Sequence, residues 1–165
     1  MKETTAKKPL EAVAHVDLQR YLGKWYEIAT IPQRFQKGCV GVMAEYTLRK
    51  KGDIQVVNTC LEGTLDGKLR QARGKARVVD KATNAKLKVS FFWPFWGAYW
   101  IIGLDEEYQW AVVGHPSRKY LWILCRTPLM DETTYAQLLG SIVDMGYDLT
   151  EIVKTLQPGD SRAAT

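Results

Sequence analysis

Few residues in this chain are of a type that does covalent chemistry, and none of them sits in a catalytic motif. The thiols are Cys39, Cys60 and Cys125, far apart and without a CxxC pair. Neither a zinc site nor a disulfide framework is therefore indicated, and one bridge among the three stays open. Cys60 falls on the inward parity of an apolar strand and is the only nucleophile candidate. A thiolate needs a base or a cation beside it, and the sequence supplies none. The histidines are His15, in a polar start, and His115, in a His-Pro-Ser turn where an imidazole is solvated. No HExxH, Gly-x-Ser-x-Gly, Walker or dinucleotide-binding pattern is present. The expectation is a protein that is not an enzyme, with no catalytic residue, metal or cofactor. An enzyme acting on a lipid-like substrate through Cys60 is the alternative.

Two further features bear on binding. Glu27 is carried inward on the first strand, and a buried carboxylate must be paired, hydrogen-bonded or neutral. It either orients the head of a ligand or pairs with a nearby cation. The run from Phe91 through Trp93, Pro94 and Trp96 to Tyr99 is the densest aromatic stretch in the chain. Its Pro-x-x-Gly centre should break the strand into a hairpin tip, where an apolar cluster is hard to bury. Such a tip can fold over its own barrel, pack in a dimer, close over a ligand or anchor at a lipid interface.

These residues need a scaffold, and the hydrophobic pattern supplies one. The 165 residues suit a single domain with a sizeable core. The period is almost everywhere two: Ala72 to Val78 and Ala85 to Phe91 alternate cleanly, each with one face buried. Val40 to Arg49, Ile54 to Leu61, Tyr99 to Leu104, Trp110 to Gly114 and Tyr120 to Arg126 read as strands too. With the opening strand around Trp25 that makes eight. Short turns such as Lys51-Gly52-Asp53 and Asp66-Gly67-Lys68 join them, and closure into an antiparallel up-and-down barrel would remove the exposed edges.

After Pro128 the period changes. Asp131 to Thr134 opens a helix whose apolar face carries Tyr135, Leu138, Leu139, Ile142, Val143 and Met145, and Gly146 stops it. Strands apolar on both parities, Tyr99 to Ile102, Ala111 to Val113 and Leu121 to Leu124, should receive that face. A short ninth strand, Glu151 to Leu156, follows. Residues 1–14 and 159–165 read as flexible ends around a domain over 15–158. Met1 to Pro9 has no apolar export region, and no apolar run approaches the ~20 residues of a membrane helix.

The net charge of +5 favours acidic partners without choosing among nucleic acid, anionic lipid and acidic ligands. Arg73, Lys75 and Arg77 alternate with small residues and lack outward aromatic partners. They read as a solvated face, and nucleic acid is not expected. Inward, small residues recur at Ala29, Ala44, Ala72, Gly74 and Ala76, which either leaves a cavity or is filled by large neighbours such as Tyr46, Phe91 and Trp122.

Gly23-Lys24-Trp25-Tyr26, Asp105 through Trp110 to Val113, and Tyr120 to Pro128 together resemble the three signature regions of the lipocalins. The likeness covers roughly Val16 to Pro158 and is nearest to the bacterial outer-membrane, plant temperature-induced and apolipoprotein D branches. It implies an all-β cup of eight strands, with the helix and ninth strand outside, that holds one small apolar or amphipathic molecule. Arg126 would lie over Trp25 at the closed end, a structural contact of ~1 to 2 kcal/mol.

The resemblance tips the small inward residues towards a cavity. Its expected ligand-binding lining is Ala29, Ala44, Tyr46, Val56, Asn58, Leu87, Val89, Phe91, Trp96, Tyr99, Ile101, Val113 and Trp122. The mouth would carry Arg34, Lys37, Lys68, Arg118 and Lys119, suiting an apolar tail with an anionic head such as a fatty acid or lysophospholipid. Peripheral membrane contact would run through Phe92 to Trp96, in a monomer or homodimer. The expected location is the bacterial outer membrane or periplasm if a lipoprotein signal precedes this sequence, and otherwise the cytosol with peripheral membrane association. The apolipoprotein D bridge from Cys39 to a C-terminal cysteine has no second member here.

Overall fold

The computed structural model describes residues 7–33 and 36–164, and each expected strand forms. They are β1 (Gly23–Thr30), β2 (Cys39–Leu48), β3 (Ile54–Glu62), β4 (Leu69–Val78), β5 (Lys86–Phe92), β6 (Phe95–Leu104), β7 (Trp110–Gly114) and β8 (Leu121–Cys125). They pair antiparallel in sequence order, and β1 bonds to both β8 and β2, which closes the sheet into a barrel. β9 (Val153–Lys154) adds to β1 from outside. β6 begins at Phe95 rather than Tyr99. Trp93 and Pro94 alone make the turn, and Phe92 still pairs with Phe95.

The closed end rests on Trp25, whose side chain is fully buried and whose Nε1 donates to the Tyr21 carbonyl at 2.8 Å. A short helix absent from the sequence reading, α1 (Leu18–Tyr21), leads in, with the Asp17 carboxylate accepting from the N–H groups of Gln19 and Arg20. Gly23 takes φ +100° to turn the chain from this helix into β1, a conformation a side chain would strain. Arg126 stacks 3.7 Å above the Trp25 ring. Its guanidinium donates to the carbonyls of Arg20, Tyr21, Leu22, Lys24 and Tyr108, so one side chain ties β8 to the lead-in and to the β6–β7 turn.

The main helix, α2 (Glu132–Asp144), is capped by Asp131, which accepts from the Thr134 N–H, and ends at Gly146 with φ +95°. Leu138 and Ile142 are buried against Ile28, Ile102, Val112, Leu121 and Ile123 on the outside of the barrel. Tyr135, Leu139 and Met145 pack at the margin of this layer. Val143 does not join them: it is 46% exposed and lies off the docked face. Residues 7–14 run along the barrel, with Leu10 buried in the same layer and the Val13 N–H bonded to the Ile101 carbonyl at 2.9 Å.

Above Tyr26 and Met43 the strands β1 and β2 part, and the chain after β9 fills the gap. Thr155 donates its N–H to Ile28, Gly41 donates to Leu156, and the Gln157 amide donates to the carbonyls of both Glu27 and Val42 at 2.8 and 2.9 Å. Cys39 and Cys60 are joined in a disulfide between β2 and β3. That bond removes Cys60 as a nucleophile candidate, since its sulfur carries no thiol. Cys125, the free cysteine, is buried.

Candidate functional site

Three tyrosines form a floor across the barrel. The Tyr21 and Tyr99 hydroxyls lie 2.6 Å apart, and Tyr99 donates to Tyr46 at 2.9 Å. Burial pushes the Tyr46 phenol up to about 12 and holds Tyr21 and Tyr99 well above their usual range, so all three stay neutral. Beneath them lies a void of about 10 Å³, bordered by Ile54, Ala76 and Leu87. Above them opens a cavity of about 250 Å³. It exceeds the roughly 150 Å³ that admits benzene in an apolar core.

The structure brings Ala44, Tyr46, Val56, Asn58, Val89, Phe91, Tyr99, Val113 and Trp122 to this cavity. Leu87 borders the small void under the floor, and Ile101 is fully buried in the core. Two further expected residues lie outside the barrel interior. Ala29 faces the helix layer, because a β-bulge between Glu27 and Ala29 turns the parity and sets Ala29 opposite the outward Ile123. Trp96 faces outward. Since β6 is continuous from Phe95, the alternation that sends Gly97 and Tyr99 inward sends Trp96 out, where Lys75, Arg77 and Lys88 lie 5.8, 5.3 and 4.9 Å from its ring.

Gln36, Val42, Met43, Gly97 and Leu124 complete the lining together with Glu27. Leu124 and Gly97 share parity with Trp122 and Tyr99 and were legible from it. Met43 enters through a register shift between Val40 and Met43, and Gln36 comes from a loop where no periodicity applies.

Glu27 gives the cavity its chemistry. Its side chain is 4% exposed, and one carboxyl oxygen accepts from the Thr155 hydroxyl at 2.5 Å. Burial raises the carboxyl from 4.5 to about 7, with the Thr155 bond opposing the rise. Among the described residues Glu27 makes no ion pair, so the expected pairing with a nearby cation is not seen and its partner is the Thr155 hydroxyl. The Gln36 amide oxygen is buried without a hydrogen-bond partner among the described residues. Glu27, Gln36 and Asn58 thus make a polar margin on an otherwise apolar wall. At the mouth, Lys37, Lys68 and Lys119 are exposed. Arg118 is not free there: it donates to the carbonyls of Met145 and Lys8 and pins the end of α2. Arg34 lies outside the described residues. Among the described residues no group of three or more His, Cys, Asp or Glu side chains is arranged to hold a metal.

The model of the lipocalin-like domain matches residues 16–157. Temperature-induced lipocalin-1 of Arabidopsis thaliana is 44% identical over 97% of this chain and 91% of its own length. Outer membrane lipoprotein Blc of Escherichia coli K12 is 41% identical over 94% of this chain and 87% of its own. Apolipoprotein D of Mus musculus is 34% identical over 86% and 77%. Insecticyanin from the tobacco hornworm Manduca sexta shares the fold at a TM-score of 0.71 and 19% identity, covering 91% of this chain and 85% of that one. With a closed eight-stranded barrel, a tryptophan plug under an arginine and a matching model over most of its length, the chain belongs to the lipocalin family.

Proposed function

We propose that the protein binds one small lipid-like molecule in its cup and carries or stores it, without chemistry of its own. The observation that supports this reading is the apolar cavity of about 250 Å³ above the tyrosine floor. A tail laid against Val56, Val89, Val113 and Trp122 gains ~0.8 kcal/mol for each methylene removed from water, so length rather than head-group detail sets affinity. Fatty acids and lysophospholipids fit that description. The exposed tip formed by Phe92, Trp93 and Phe95 suits exchange of such a ligand with a membrane. Of the two expected locations, the bacterial periplasm and outer membrane agree with the Cys39–Cys60 bond, which persists in oxidising compartments, and with the name of the 41% identical lipoprotein.

Native mass spectrometry after incubation with a long-chain lysophospholipid tests the reading. One bound molecule per chain is the expected result for the wild type, with marked loss of the complex in Trp122→Ala. No adduct with any fatty acid or lysophospholipid overturns it.

A further inference from the structure

The outer wall of the barrel carries a second concave site, which shares only Phe91 with the lining of the cup. Strands β4 and β5 pair only from Lys75 with Ser90 to Val78 with Leu87, so the first half of β4 has no partner on that side. Ser90 approaches Gly74 so closely that a Cβ on Gly74 would meet the Ser90 carbonyl at 2.6 Å. Beside this crossing lies a groove of about 410 Å³, bordered by Arg49, Gln55, Arg73, Lys75, Ser90 and Trp93.

Three observations give the groove its chemistry. Arg49 is held by Asp53 at 3.0 Å, while Arg73 and Lys75 make no ion pair among the described residues. Ser90 borders the groove and is 4% exposed, and its buried hydroxyl has no hydrogen-bond partner among the described residues. Phe92, Trp93 and Phe95 stand beside it, 79%, 77% and 75% exposed. The sequence suggested a charged face without aromatic neighbours. Instead Trp96 gathers Lys75, Arg77 and Lys88, and Trp93 borders the groove itself.

We propose that this groove is a docking site for the phosphate group of an anionic phospholipid, taken from a bilayer into which the Phe92–Trp93–Phe95 tip inserts. A phosphate accepts from the Ser90 hydroxyl and from Arg73 and Lys75 together, and supplies the negative charge that these two cations lack. Exposed aromatics beside uncompensated cations match the boundary between acyl chains and headgroups, with both terms acting on one surface. The site goes beyond ligand binding in the cup, and its cations Arg73 and Lys75 are not part of the cup's lining.

Co-sedimentation with vesicles of phosphatidylcholine alone, and of phosphatidylcholine mixed with phosphatidylglycerol, tests the proposal. The wild type should bind the mixed vesicles at least tenfold more tightly, at roughly fivefold per basic residue near the surface. Arg73→Gln with Lys75→Gln should cut the affinity for mixed vesicles by about thirtyfold and leave lysophospholipid binding in the cup unchanged. Ser90→Ala should weaken the mixed-vesicle complex by about tenfold while the denaturation midpoint holds or rises, because the change removes an unpartnered hydroxyl. Equal affinity for the two vesicle types overturns the proposal, as does a double variant that keeps the preference. Tighter retention of a single-stranded oligonucleotide than of vesicles, or saturable binding of inorganic phosphate to the groove without a bilayer, overturns the lipid assignment.

Discussion

Glu27→Gln should make the protein more stable in alkali and leave it nearly unchanged in acid. In the folded chain the carboxyl sits 4% exposed against an apolar cavity, has one hydroxyl partner, and titrates at about 7 instead of 4.5. Because the folded value lies above the unfolded one, the carboxyl is tolerated at no electrostatic cost below about pH 4.5. The associated stability is lost as pH rises through about 7, when a charge must form inside the barrel. At ~1.36 kcal/mol per tenfold, the interval from 4.5 to about 7 corresponds to about 3 kcal/mol. A glutamine keeps an oxygen for Thr155 and carries no charge, so it escapes that loss. Urea denaturation of both proteins at about pH 4 and about pH 9 reads the difference, and other titrating groups cancel between them. The variant should be about 2 to 3 kcal/mol more stable than wild type at the higher pH, with the gap closing in acid. A gap that is constant across pH would refute the assignment of a neutral carboxyl to the cavity wall.

Further outcomes follow from the same structure. Trp25→Ala should cost ~3 to 5 kcal/mol in denaturant midpoint experiments, since it empties the closed end and leaves Arg126 without its ring. Serine at both Cys39 and Cys60 should destabilise by about 3 kcal/mol from chain entropy across a separation of 21 residues, and the native protein should show one free thiol after unfolding. Trp122→Ala should weaken binding of a fatty-acid probe, whereas Trp96→Ala should not, because Trp96 lies outside the barrel among Lys75, Arg77 and Lys88.

The architecture was legible because a two-residue period survives averaging over whole strands: β7 was read at its observed bounds, and the α2 face needed only Val143 removed. What escaped was whatever breaks the period locally. The bulge between Glu27 and Ala29 swaps the two faces of β1, and the register shift at Val40 to Met43 does so in β2. Alternation counted through either point assigns the wrong side. At Trp96 the error ran the other way. A strand break was expected at Pro94, yet the turn consumes so little chain that the alternation of β6 continues to Phe95. The four-residue α1 is too short for any helical period, and its one local cue is the capping Asp17. The Cys39–Cys60 bond depends on the β2–β3 register, which no spacing count supplies. The Gln157 amide bridging β1 and β2 depends on where the C-terminal segment crosses the barrel.

That the cup has room for a guest is tested most directly by filling it. Ala44 lines the cavity and is only half-buried, so Ala44→Phe adds a ring where a ligand tail would lie. Calorimetric titration with a long-chain fatty acid should give one site per chain and a negative heat-capacity change in the wild type. Ala44→Phe should abolish that binding while thermal unfolding stays cooperative. Undiminished binding in Ala44→Phe, or none in the wild type, would contradict a ligand held above the tyrosine floor.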